Sequence, residues 1–220
     1  MIKIASFQFT GTENISSNTD AVIRGAEIAS AAGVDLMLTQ ECAICGYPPI
    51  ERDNCDSIDF SLVQISMNKL QEISNRRNIY IALGMVKRTF EKYYNCISLI
   101  SPKAESRIIY SKRALWGWDK ENFHPGCVNE VVEIKGFKIG FRICFEIRFP
   151  EYFRELYREQ VDIVCVPFND TSEVDNAARY ELLKSHILTR AVENSFVVVT
   201  SNTCRYFQTA PSCIVDQDGK

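Results

Sequence analysis

Two residue periods take turns along this chain, and their order limits the folds open to it. Nearly unbroken apolar runs of strand length stand at VDLML (34–38), IYIALGMV (79–86), VDIVCVPF (161–168) and FVVVTSN (196–202). Such runs suit strands that are covered on both faces. Stretches with helical spacing lie before them. Residues 18–31 carry Val22, Ala26 and Ala29 on one stripe, and 61–76 carry Val63, Met67, Leu70 and Ile73; 149–159 and 177–193 read the same way. IKIASFQ at 2–8 is a further strand. YYNCISLIS, SRIIYS, EVVEI and FKIGFRI then follow one another through the middle with turn residues between them. Helices alternate with strands at both ends and consecutive strands fill the centre, which predicts an α/β layered fold with mixed sheets.

At 220 residues and 46% hydrophobic, the chain is long enough for one sizeable core. No internal repeat and no Gly/Ser/Pro-rich linker divides it, so a single domain over 1–220 is expected. A formal net charge of -3, without a Lys/Arg cluster, gives no footprint for nucleic acid or an anionic membrane. A small molecule or another protein is the expected partner. No run of 18 uncharged apolar residues implies a membrane span. The opening MIKIASFQFT lacks the pattern of a signal peptide, and an odd number of cysteines, nine, argues for reduced thiols in a cytoplasm. Cys42 and Cys45 have C-x-x-C spacing, but no second such pair or nearby His completes a zinc set, so no metal and no cofactor is expected.

Three polar residues fall at carboxyl ends of predicted strands: Glu41 after VDLML, Lys112 after SRIIYS, and Cys144 after FKIGFRI. Ligands of open α/β sheets bind at that edge. Together the three would form a hydrolase constellation of a base for the thiol proton, a cation for an oxyanion, and a nucleophile at a strand-to-helix turn, where the helix's positive end favours thiolate. Singly, each has a plainer reading, as a helix cap, a solvated cation and a small buried hydrophobe. A Cys–His mechanism is the rival. It has only His124, in a loop beside Pro125, and His186, in a helix with Leu183 and Ile187, to draw on.

The segments LTQECAICGYPP, YSKRALWGWDKENFHPG and ICFEIRFPEYFREL, in that order, closely resemble the three catalytic blocks of the nitrilase, or carbon-nitrogen hydrolase, superfamily. Agreement extends through YNCISLISP, VDIVCVPFND and LTRAVENSFVVVTSN, and so over the chain from residue 2 onward. The resemblance implies a four-layer α-β-β-α sandwich with two mixed β-sheets. It implies Glu41 as general base, Lys112 as oxyanion partner, Cys144 as nucleophile, and Glu121 in KENFHPG as a second catalytic glutamate. The backbone N–H of Phe145 would complete the oxyanion site, and Phe168, Asn169 and Asp170 occupy the expected pocket edge. Arg148 either meets a substrate carboxylate or braces the start of the following helix. Nitrile-cleaving members carry Trp directly after the cysteine, whereas this chain has Phe145 and then Glu146, closer to amidase-like branches. Amide or carbamoyl substrates are therefore expected ahead of nitriles. The chain stops at Lys220, short of the family's usual C-terminal segment that helps dimerise, which leaves a homodimer and activity itself open. The alternative to an enzyme is an impaired binding or regulatory subunit on the same scaffold.

Overall fold

Local capping sets where the helices start and stop. In the computed structural model, which describes residues 1–220, the Asn14 side chain accepts from the Ser17 N–H at 2.9 Å. Helix α1 (Ile15–Ala31) therefore begins about one turn ahead of the predicted stripe. Asp59 caps α2 (Phe60–Arg77) by accepting from the Ser61 and Leu62 N–H groups, and Asn78, in the left-handed region, stops it.

Two five-stranded sheets follow from the apolar runs. The first takes the order β1 (Ile4–Ser6), β2 (Leu36–Leu38), β3 (Tyr80–Thr89), β4 (Lys92–Ser101), β5 (Ala104–Ser111). Its first three strands are parallel and its last two antiparallel. A short helix α3 (Asp119–Asn122) leads on to the second sheet. There β7 (Phe137–Phe141), β8 (Ile163–Pro167) and β9 (Val197–Ser201) run parallel, flanked by antiparallel edges β6 (Val132–Ile134) and β10 (Ile214–Val215). The pair Ile214–Val215 adds a short strand near the end of the chain, and EVVEI contributes only its last three residues.

Side-chain parity separates the layers. Leu36, Leu38 and Ala82 join Phe141, Cys165 and Val199 in a core between the sheets. Their neighbours Met37, Ile81 and Leu83 join Val22, Ala26 and Leu70 beneath α1 and α2. On the far face of the second sheet, Val164, Val166 and Val198 pack beneath Phe153 of α4 (Pro150–Arg158) and Leu183 and Ile187 of α5 (Ala177–Asn194). The result is the α-β-β-α sandwich. No helix is long and apolar enough to cross a membrane.

Two glycines let backbone segments meet where the polar residues sit. A Cβ on Gly84 of β3 would lie 2.1 Å from the Gln40 carbonyl oxygen, and one on Gly126 would lie 2.1 Å from Ser111 Cβ. Gly84 thus admits the chain just before Glu41, and Gly126 the end of β5 just before Lys112. Both positions are closed to any larger side chain unless the backbone shifts.

Candidate active site

Glu41, Lys112 and Cys144 come to one edge of the sandwich, at the carboxyl ends of β2, β5 and β7, as the strand register predicts. The ends of β2 and β8 are tied across the sheets by the Glu41 N–H, which donates to the Phe168 carbonyl at 3.2 Å. The Glu41 carboxylate is fully buried. Its Oε1 accepts from Lys112 Nζ and from Asn95 Nδ2, each at 2.7 Å, and its Oε2 accepts from the Asn169 backbone N–H at 3.0 Å. Asn95 is a buried polar residue inside β4, a placement costly without a partner; the Glu41 contact supplies one.

The second carboxylate on the ammonium is Asp119, with Oδ2 2.7 Å from Lys112 Nζ and both side chains fully buried. Asp119 also accepts from the Trp116 N–H at 2.9 Å and from Tyr47 Oη at 2.7 Å, while Tyr47 Oη accepts from Trp118 Nε1 at 3.2 Å. Glu121 stands elsewhere: its side chain is exposed and makes no hydrogen bond or ion pair to Lys112. Residues two apart on a helix differ by about 200° in direction, so only one of the two acids on this single turn can face inward. The expectation for Glu121 is corrected to Asp119.

Phe168 also departs from expectation. Its side chain is buried in the core on the side of Val164 and Val166, because alternation along β8 and its extension sends Asn169, the next residue, toward the cavity instead. Asn169 is 6% exposed, and its carboxamide lies beside the Glu51 carboxyl without completing a hydrogen bond. His124 is exposed and His186 lies half-buried on α5; neither lines the cavity with Cys144. Cys42 and Cys45 are buried in the core beneath α1 and α2.

Cys144 has φ of 47°, in the left-handed region that favours glycine, and opens a 3-10 turn, Cys144–Arg148, ahead of α4. The positive end of α4 therefore does not abut the sulfur. Burial and the Glu41 charge push the Cys144 thiol well above its ordinary value, with Lys112 acting against them. The residue rests as a thiol rather than the thiolate expected of a helix N-terminus. Burial raises the Glu41 carboxyl too, while Lys112 and Asn95 restrain it. Burial works to lower the Lys112 ammonium, but the charges of Glu41 and Asp119 hold it well above an ordinary lysine. A fixed cation, a carboxyl of raised basicity and a protonated thiol thus meet in a buried site.

Cys144 opens onto a cavity of about 210 Å³ whose wall includes Tyr47, Trp116, Phe145, Arg148 and Asn169. Phe145 is the second residue of the 3-10 turn, so its N–H falls among the donors that a helix start leaves open. Arg148 makes no ion pair. Its guanidinium lies against the packed Trp116 and Phe145 rings, 5.3 and 5.2 Å from their centroids, and it makes no bond to the start of α4. The other arginine of the wall, Arg179, is already bound by Asp170 at 2.9 and 2.7 Å.

Residues 3–220 match the family model described as carbon-nitrogen hydrolase. Among solved structures, the amidase of Nesterenkonia sp. AN1 superposes with a TM-score of 0.85 at 24% identity, over 100% of this chain and 87% of that chain. Another structure of that amidase shows Michael addition of acrylamide at the active site cysteine, with the same TM-score, identity and coverage. A third, a mutant in complex with butyramide, superposes with a TM-score of 0.85 at 24% identity, over 100% of this chain and 84% of that one. At that identity the likeness carries the fold. Comparison with curated protein sequences finds no match.

Proposed function

Because this chain belongs to the carbon-nitrogen hydrolase family, we propose that it hydrolyses the C–N bond of a small amide or carbamoyl compound through a thioester on Cys144. The observation that carries this reading is the Lys112 ammonium held at 2.7 Å from both Glu41 and Asp119, on the same sheet edge as a thiol that opens into the cavity. Support also comes from an amidase of the same fold whose active site cysteine takes up acrylamide.

Glu41 takes the Cys144 proton as sulfur attacks the carbonyl carbon, because a thiol held above its ordinary pKa needs a base at the moment of attack. Lys112 and the Phe145 N–H receive the oxyanion. The C–N bond then breaks, and the leaving nitrogen takes the proton from Glu41 to depart as ammonia or amine. Water enters and gives Glu41 a proton as its oxygen attacks the thioester; collapse releases the acid, and the proton returns to sulfur. Asp119 keeps the ammonium in place while Glu41 loses and regains its charge. Since the free enzyme needs Glu41 ionised, kcat/KM should fall as pH drops through a carboxyl pKa above the ordinary 4.5. An acidic limb at or below 4.5 in a pH profile would count against Glu41 as the base.

The proposed substrate carries an anionic group, a reading supported by Arg148. An unpaired guanidinium on the cavity wall, packed against two rings, suits a carboxylate, and Asn169 offers a carboxamide that no protein group satisfies. The class is short amides bearing a carboxylate, namely ω-amides of dicarboxylic acids or N-carbamoyl amino acids. Ammonia release from a panel of these and of neutral short amides tests it. Arg148→Leu should raise KM for the carboxylated members about ten- to a hundredfold, the worth of a charged hydrogen bond, and leave neutral amides within about threefold. Equal losses on both sets would remove Arg148 from substrate recognition.

A further inference from the structure

We infer that Glu146 is the positioning residue that holds Lys112 and Cys144 in mutual register. The inference rests on the reading of those two as reacting groups. Glu146 is fully buried and has no cation partner, yet both oxygens are filled. Its Oε1 accepts from the Arg113 N–H at 2.7 Å and the Ala114 N–H at 3.1 Å; its Oε2 accepts from the Ile143 N–H at 2.7 Å. Tyr110 Oη donates to the same carboxylate, 2.9 and 2.8 Å from its two oxygens. The nearby Arg113 guanidinium is turned to Glu155 instead.

The peptides it gathers are the ones that matter. Arg113 directly follows Lys112, and Ile143 directly precedes Cys144. These segments leave β5 and β7, which belong to different sheets, so one carboxylate braces the two sheets at their shared edge. The same brace sits beside the left-handed backbone of Cys144, a conformation that persists only where its surroundings over-determine it. Three amide donors arriving from two directions require two acceptor oxygens.

Glutamine supplies only one. In Glu146→Gln, the amide nitrogen must face either the Arg113 and Ala114 donors or the Ile143 donor, so one of the two segments is released. A misplacement of about 1 Å at a reacting group costs on the order of 10²-fold. Glu146→Gln should therefore lower kcat about ten- to a hundredfold with KM within about threefold.

A second readout needs no substrate. The rate at which iodoacetamide alkylates Cys144, followed by peptide mass across pH, should fall at least about fivefold near neutrality, because a displaced Lys112 no longer favours the thiolate. Its pH midpoint should move upward. Simple removal of a buried negative charge acts in the opposite sense and would make the thiol ionise more readily. The sign of the change thus separates positioning from charge. Ser74→Ala, which deletes a buried hydroxyl bonded to the Ile79 carbonyl far from the site, controls for lost stability and should leave alkylation unchanged. Tyr110→Phe, a milder loosening of the same carboxylate, should slow Cys144 in the same direction, and it decides the matter if Glu146→Gln does not fold. Alkylation at the wild-type rate or faster in the folded variant overturns the inference. Cys144→Ala run alongside keeps the two readings apart: wild-type turnover there sinks the catalytic reading, whereas an inert Cys144→Ala beside an unimpaired Glu146→Gln sinks only the brace.

Discussion

Replacing Cys144 by serine is expected to cut hydrolysis on the order of 10⁴-fold or more while the chain stays folded, the scale seen when a covalent nucleophile is removed. A serine hydroxyl is a far weaker acid than a thiol, and the carboxylate of Glu41 cannot ionise it to a useful extent. Little else changes. The side chain keeps nearly the same size, the left-handed backbone at φ of 47° is common to both residues, and the hydrogen bonds of the 3-10 turn are unaffected. Cys165 is the contrasting case. It is buried in the middle of β8 with no polar neighbour, so Cys165→Ser should lower stability by about 1–3 kcal/mol for the stranded hydroxyl and leave turnover intact. Steady-state rates set beside thermal melts distinguish the two outcomes. Wild-type turnover in Cys144→Ser would end the nucleophile assignment.

Lys112→Met is expected to damage both rate and stability. Losing an oxyanion donor costs about 10²- to 10³-fold in kcat. The same change strips the cation from Glu41 and Asp119, each 2.7 Å from the ammonium and fully buried. Breaking a buried ionic cluster from one side costs about 3–5 kcal/mol because the remaining charge has no compensation. The sign of the pH dependence follows. Burial already raises the Glu41 carboxyl, and without Lys112 it rises further. A group whose folded pKa exceeds its unfolded value contributes stability below the unfolded pKa and loses it as pH rises through the folded one. The stability deficit of Lys112→Met should thus be greatest at and above neutrality and shrink on acidification. Denaturant melts across pH check this. A deficit that does not vary with pH would mean that the ammonium does not neutralise Glu41. Arginine is no safe substitute, since its planar fork does not fit between two carboxylates spaced for a compact ammonium.

Much of this arrangement is legible in the residue pattern, for a specific reason. Glu41, Lys112 and Cys144 each end an apolar run, and strand register alone carries them to one sheet edge. Phe168 and Glu121 show the limit of that reasoning. Phe168 and Asn169 are neighbours, and which of them enters the cavity depends on the parity of the extended chain past Pro167, which a continuous apolar run does not mark. Asp119 and Glu121 share a helix of a single turn, too short to carry a period, so its phase is set only when Trp116 and Tyr47 grip the Asp119 carboxylate. Two signals were nonetheless present. Asn95 lies within the strand run YYNCISLIS, and Glu146 interrupts ICFEI, and in each case a buried polar group without an evident partner points to a site. The thiolate expected of a helix start fails because residues 145–149, the rest of the 3-10 turn and Phe149, separate Cys144 from α4, which begins at Pro150.

The central claim is the thioester on Cys144, and rapid-quench intact-mass spectrometry tests it most directly. Mixing the protein with an activated ester of a short carboxylated acid should add one acyl mass before steady state is reached. Peptide mapping should place that acyl group on Cys144, and Cys144→Ala should show neither the adduct nor turnover. An adduct on any of the other eight cysteines, or hydrolysis by Cys144→Ala at the wild-type rate, would contradict the mechanism.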